Sequence, residues 1–153
     1  MDLRARLTAA TKQAMKEKDA LRLSTLRLIN AAVKDRDIAA RGDGAETGVD
    51  DAEILSILGR MVKQRQESAR SYEEGGRLDL AEQEQAEIEV IEEFLPRKLS
   101  EAEVNAAVDA AVNEVGATSI RDMGRVMGVL KAKHSGQMDF GAVGPKVKAR
   151  LAG

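Results

Sequence analysis

Residues Leu95–Val104 read LPRKLSEAEV, and the fold turns on them. Pro96 has no backbone N–H to donate and biases Leu95 away from the helical region, so a helix arriving here stops. Just beyond, Ser100 and Glu103 have the spacing of a capping box, in which a hydroxyl and a carboxylate each accept from the other residue's backbone N–H. The charge changes sign at the same place. Residues 1–96 hold 15 Lys and Arg against 20 Asp and Glu, whereas residues 97–153 hold 9 against 6. The reading is one helical bundle ending and another beginning: an N-terminal helical domain over 1–96 and a C-terminal three-helix domain over 97–153.

Upstream of the boundary, apolar residues recur at helical spacing. Leu3, Leu7, Ala10 and Ala14 share a face behind a capping Asp2. Leu23, Leu26, Ile29 (or Leu28), Ala32 and Val33 form the stripe of a second helix that Gly42 stops, and GDGAETGV (Gly42–Val49) reads as a flexible loop. Ile54, Leu58, Met61, Arg65, Ala69 and Tyr72 mark a third, beginning near Asp50 or Asp51 and ended by Gly75-Gly76 as a left-handed cap. In LDLAEQEQAEIEVIEEFL (Leu78–Leu95), Ile88, Ile91 and Leu95 keep the helical rhythm within a strongly acidic segment, whose glutamates read as a solubilising face. Downstream, Val104, Val108, Ala111 (or Val112) and Val115 define a fifth helix closed by Gly116. Ser119 caps a sixth carrying Ile120, Met123, Met127 and Leu130. Asp139 caps a seventh with Phe140, Val143, Val147 and Leu151, in which Pro145 is expected to delay or kink the start. No run alternates with period two, and no repeat recurs. The expected fold class is all-α: a bundle of about four helices, then a small bundle of about three.

Composition narrows the chemistry. Across 153 residues there is no cysteine, which removes disulfides, thiolate catalysis and Cys-ligated metals. No apolar run reaches the roughly 20 residues of a membrane span. The N-terminus, interrupted by Asp2, Glu17 and Asp19, is neither a secretory signal nor a good transit peptide. A soluble cytoplasmic protein is the expectation. His134, the sole histidine, is read as a helix-end residue beside a negative dipole end rather than a ligand or base. DFG at Asp139–Gly141 lacks the other kinase motifs, and Gly42–Val49 lacks a Walker lysine. The residues therefore nominate no catalytic group, no metal and no cofactor.

Two features remain. In MGRVMGVLKAKHSG (Met123–Gly136), Gly124 and Gly128 lie one turn apart inside a helix, where each glycine costs about 1 kcal/mol relative to alanine. Close approach of a neighbouring helix is the expected reason; close approach of a ligand backbone such as nucleic-acid phosphate is the alternative. The second feature is a set of cations, Arg121, Arg125, Lys131, Lys133, Lys146, Lys148 and Arg150, which is either an ordinary solvated face or a phosphate-contacting patch. With almost no aromatic residue among them, shape-reading of a folded RNA fits better than base stacking.

Three segments together carry a family resemblance: LRLINAAVKDRDI (Leu26–Ile38), YEEGGRLDLAEQEQAEIEVIEEFLPRKLSEAEV (Tyr72–Val104) and MGRVMGVLKAKHSGQMDF (Met123–Phe140). The chain resembles the YqeY family over essentially its whole length. Its most specific block contains Tyr72, Gly75, Gly76, Arg77, Asp79, Leu80, Ala81, Glu84, Leu95, Pro96 and Leu99. YqeY proteins resemble the helical tail domain of the GatB subunit of tRNA-dependent amidotransferase, a tail implied to hold tRNA while another domain performs the chemistry. The resemblance implies a non-catalytic tRNA-binding accessory module. The family's glycine-containing helix falls on Met123, Gly124, Val126, Met127, Gly128, Leu130 and Lys131, the implied RNA-facing or close-packing segment. A protein-interaction adaptor docking on an aminoacyl-tRNA synthetase or amidotransferase through the acidic fourth helix is an alternative. A carbon–nitrogen ligase with glutamine as amido donor, the activity family labels imply, is another. Neither a membrane nor DNA is an expected partner.

Overall fold

Asp2, Asp19 and Asp50 each stand just before a helical stretch, and each side chain accepts a backbone hydrogen bond from the first turn: Ala5 N–H at 2.7 Å, Arg22 N–H at 3.2 Å and Glu53 N–H at 3.0 Å. Such caps satisfy donors that a helix start leaves open. They begin α1 (Leu3–Glu17), α2 (Ala20–Gly42) and α3 (Asp51–Glu74), and α4 (Leu78–Glu92) follows. The computed structural model describes residues 2–44 and 48–152, and every regular element among them is helical. The protein is all-α. It folds as two compact units, Met1–Leu95 and Pro96–Gly153.

In the N-terminal unit α1 turns into α2 through Lys18, which takes the left-handed conformation at φ 57°. α3 turns into α4 through Gly75 and Gly76, of which Gly76 has φ 75°. α3 and α4 pack on each other most extensively, and α2 lies against α4. Leu7, Leu26, Ile29, Ile54, Leu58 and Ile91 are fully buried at the centre, each contributing about 1.5–3 kcal/mol by leaving water. The acidic helix is not uniformly solvated as its composition suggests: Glu87 is buried and its carboxylate pairs with Arg65 of α3 at 3.6 Å.

The loop expected over Gly42–Val49 falls partly outside the described residues, which omit 45–47. Its far end is fixed by a polar clamp. The Arg4 guanidinium donates to both Asp37 carboxylate oxygens, at 2.9 and 3.0 Å, and to the Val49 carbonyl at 3.0 Å. Asp37 also accepts from Val49 N–H at 2.8 Å. Hydrogen bonds from Arg4 first, then from Val49, hold the Asp37 carboxyl below the usual carboxylate range. Gly48 leaves room for this arrangement, because a Cβ there would lie 2.5 Å from Asp37 Oδ1.

The C-terminal unit comprises α5 (Glu101–Val115), a single 3-10 turn (Ile120–Asp122), α6 (Met123–Lys133) and α7 (Phe140–Ala152). The capping box forms as read: Ser100 Oγ accepts from Glu103 N–H, and Glu103 accepts from Ser100 N–H. Arg97 grips the same carboxylate bidentately, at 2.9 and 2.7 Å, and with the Ser100 bonds pulls Glu103 down to about 2. Gly116 closes α5 at φ 63°. Val104, Val108, Val112, Val126, Leu130, Val143 and Val147 form the core.

Two expectations need correction here. The sixth helix does not begin at Ile120. Ser119 caps the 3-10 turn instead, Ile120 is exposed, and Val126 with Leu130 rather than Met123 with Met127 occupies the centre. A turn of three residues advances the phase differently from one of 3.6, so the buried stripe shifts. Pro145 also leaves α7 unbroken from Phe140 onward. Part of proline's clash with the preceding residue is with that residue's Cβ, and here that residue is Gly144, which has none.

Candidate nucleic-acid interface

The C-terminal unit carries the excess of positive charge, and its fold divides the seven nominated cations by whether an acid already holds them. Lys133 pairs with Glu114 at 2.6 Å, Lys146 with Glu101 at 3.9 Å and Arg150 with Asp109 at 3.0 Å. All three acids belong to α5, so these cations tie α6 and α7 to α5. Arg125 pairs with Asp122 at 2.6 Å. Asp122 itself accepts from Thr118 and Ser119 N–H at 3.0 and 3.3 Å. Those backbone bonds, Thr118 first, together with Arg125 hold its carboxyl below the usual range. Arg121, Lys131 and Lys148 are exposed and have no ion pair among the described residues.

The glycines do not have the explanation first expected of them. A Cβ built on Gly124 or on Gly128 meets nothing within 4 Å, and both residues are exposed. Among the described residues no helix crosses there, so close packing of α6 is not the reason for them. The helix turns Val126 and Leu130 inward. Helical spacing then places Gly124, Gly128 and the exposed Ala132 along the opposite side, with Arg125 and Lys131 beside them. This face has low relief and cations at its margins. A polyanionic backbone could approach the α6 peptide groups closely there, with flexible guanidinium and ammonium groups reaching its phosphates.

His134 sits at the end of α6, its Nδ1 3.2 Å from Gln137 Oε1, while Gln137 donates to the Arg97 carbonyl at 3.2 Å and accepts from Leu99 N–H at 2.9 Å. The histidine therefore belongs to a turn-stabilising network. Among the described residues no group of three or more His, Asp or Glu could hold a metal ion. No helix of the described residues is long and apolar enough to cross a membrane. What the sequence reading missed is the set of α5 acids. Glu101 and Asp109 recur about two turns apart, a spacing that marks one flank of the helix, but nothing in the chain order says which cations lie against it.

The chain is all-helical, with a small C-terminal unit in which Lys and Arg outnumber Asp and Glu. The chain belongs to the YqeY-like protein family, whose model matches residues 4–151. It is also similar to curated fungal proteins named altered inheritance of mitochondria protein 41, mitochondrial. The one from Lachancea thermotolerans is 32% identical over 75% of this chain and 60% of its own length. That from Clavispora lusitaniae is 34% identical over 69% and 60%, and that from Pyrenophora tritici-repentis 30% identical over 84% and 71%. The chain thus spans about three-fifths of the first two. These names overturn the cytoplasmic expectation, since the relatives are mitochondrial by name. The expectation rested on the absence of apolar and leader-like segments, and a compartment is an address read by receptors rather than a consequence of the fold.

Proposed function

We propose that this chain is a non-catalytic tRNA-binding accessory module that uses the C-terminal unit. The observation that carries the reading is the outward face of α6, where a Cβ on either of two helix-weakening glycines, beside Arg125 and Lys131, would meet nothing within 4 Å among the described residues. A folded RNA offers phosphate backbone at the regular spacing such a face can follow without base readout. The YqeY resemblance supports the same direction.

The test is binding of unfractionated tRNA to the purified chain across a salt series. Three unpaired cations imply a slope of log K against log salt of about −2 to −3, from 0.7–0.9 per phosphate contact. Reversing Arg121, Lys131 and Lys148 to glutamate is expected to abolish binding. Reversing Lys133, Lys146 and Arg150, which α5 acids hold, is expected to weaken it less. No binding by the intact chain at low salt would remove this reading.

A second reading, docking on an aminoacyl-tRNA synthetase or amidotransferase, is favoured by the exposed acids Glu82, Glu89 and Glu92 of α4. It predicts co-purification with such an enzyme, lost on neutralising those glutamates, with little affinity for free tRNA.

A further inference from the structure

The N-terminal unit holds charges that an RNA contact on the C-terminal unit does not use. Arg65 of α3 is mostly enclosed, with 14% of its side chain exposed, and Glu87 of α4 opposite it with 12%. Their closest approach, 3.6 Å from Arg65 Nε to Glu87 Oε2, is an ion pair too long for a hydrogen bond. Arg65 Nε is buried with no hydrogen-bond partner among the described residues, while Nη1 is used by the Met61 carbonyl of its own helix at 3.2 Å. Three residues before Glu87, and therefore on the same flank of α4, is the half-buried Glu84. The enclosed guanidinium thus meets Glu87 in a poor geometry, with a second carboxylate, Glu84, half-buried one turn away on the same flank. An enclosed, imperfectly paired charge costs more than the same charge in water.

We propose that Glu84, Glu87 and Arg65 form a proton-linked lock between α3 and α4, in which Glu84 takes up one proton and the hairpin tightens. Protonation leaves one carboxylate facing one guanidinium. The new Glu84 O–H can donate to the Glu87 carboxylate one turn away, replacing repulsion with a charge-assisted bond. The proton comes from solvent and no other group need change. The charged groups that act on the Glu84 carboxyl are Glu87 on α4 and Arg65 on α3. α2, the other helix against α4, contributes Arg22, which pairs with Glu93 at the C-terminal end of α4. Burial first and Glu87 second raise the Glu84 carboxyl above the ordinary range, and Arg65 offsets part of this. A carboxyl raised on folding adds stability as pH falls through its folded value and loses it as pH rises.

The experiment uses the intact chain. Tyr72, the one tyrosine in a chain without tryptophan, lies on α3, so its fluorescence reports unfolding of this unit. Urea midpoints are measured for wild type and Glu84→Gln at about pH 8 and about pH 5, above and near the carboxylate range. The glutamine imitates the protonated acid. The variant is expected to be the more stable at the higher pH, with the gap closing at the lower. A gap that is absent, or unchanged between the two, overturns the lock. Carbon-detected NMR titration of wild-type Glu84 is the independent arm and needs no variant to fold. Its midpoint is expected above the ordinary glutamate value of about 4.3, and Glu87→Gln is expected to lower it. A midpoint at or below the ordinary value overturns the lock.

Discussion

Gly124 and Gly128 weaken α6, and among the described residues nothing would meet a Cβ at either position. Gly128→Ala is expected to stabilise the C-terminal unit by about 1 kcal/mol, and Gly124→Ala by less because it lies in the first turn. Thermal unfolding followed by circular dichroism measures both. If an RNA backbone lies against this face, the stabilised Gly128→Ala protein binds tRNA several-fold more weakly; an unchanged affinity would make the face mere surface. The residue scale is also where sequence reading was least complete. Gly124 and Gly128 stand out in the chain order, but whether something packs on them is a fact of three dimensions. Likewise seven cations can be counted, yet that Lys133, Lys146 and Arg150 are held by α5 while Arg121, Lys131 and Lys148 are not depends on which helices become neighbours.

Elements were far more legible, because their ends are written locally. Asp2, Ser100 and Gly116 all cap where the chain order places them, and Asp50 caps the helix expected to begin near Asp50 or Asp51. The start of α6 was not, since the 3-10 turn over Ile120–Asp122 changes the period within three residues. Glu87 was missed for a related reason: a glutamate among glutamates carries no sign that one faces an arginine. The junction before α5 yields a pH prediction. The Glu103 carboxyl, brought to about 2 by Arg97 and Ser100, contributes stability that is present above the ordinary glutamate range and is lost as pH falls toward about 2. Ser100→Ala is expected to lower the stability of the C-terminal unit by about 1 kcal/mol at neutral pH. Glu103→Gln is expected to lower it too, with a deficit that shrinks under strong acid. Urea titrations followed by circular dichroism at the two pH values check both.

At the scale of the whole molecule, the break at Pro96 separates two cores of different make-up. One is built mainly on Leu and Ile across four helices, the other mainly on Val across three. A unit of fewer than about 60 residues with so lean a core has little stability in reserve. Heating or urea is therefore expected to give a circular dichroism transition that does not superimpose on the Tyr72 fluorescence transition, the latter reporting the N-terminal unit alone. Coincident curves would mean the two cores melt together. The charge asymmetry follows the same division, so a polyanion would be drawn to one unit and repelled by the other.

The clamp of Arg4, Asp37 and Val49 bears on connectivity. It joins α1, α2 and the lead-in to α3 by side chain and backbone, on both sides of the segment that links α2 to α3 in sequence. The peptide link and the clamp are thus two fastenings in parallel across one gap. A backbone cut between Gly44 and Gly48 would remove only the first, leaving two fragments still held in register by a guanidinium, a carboxylate and a shared core.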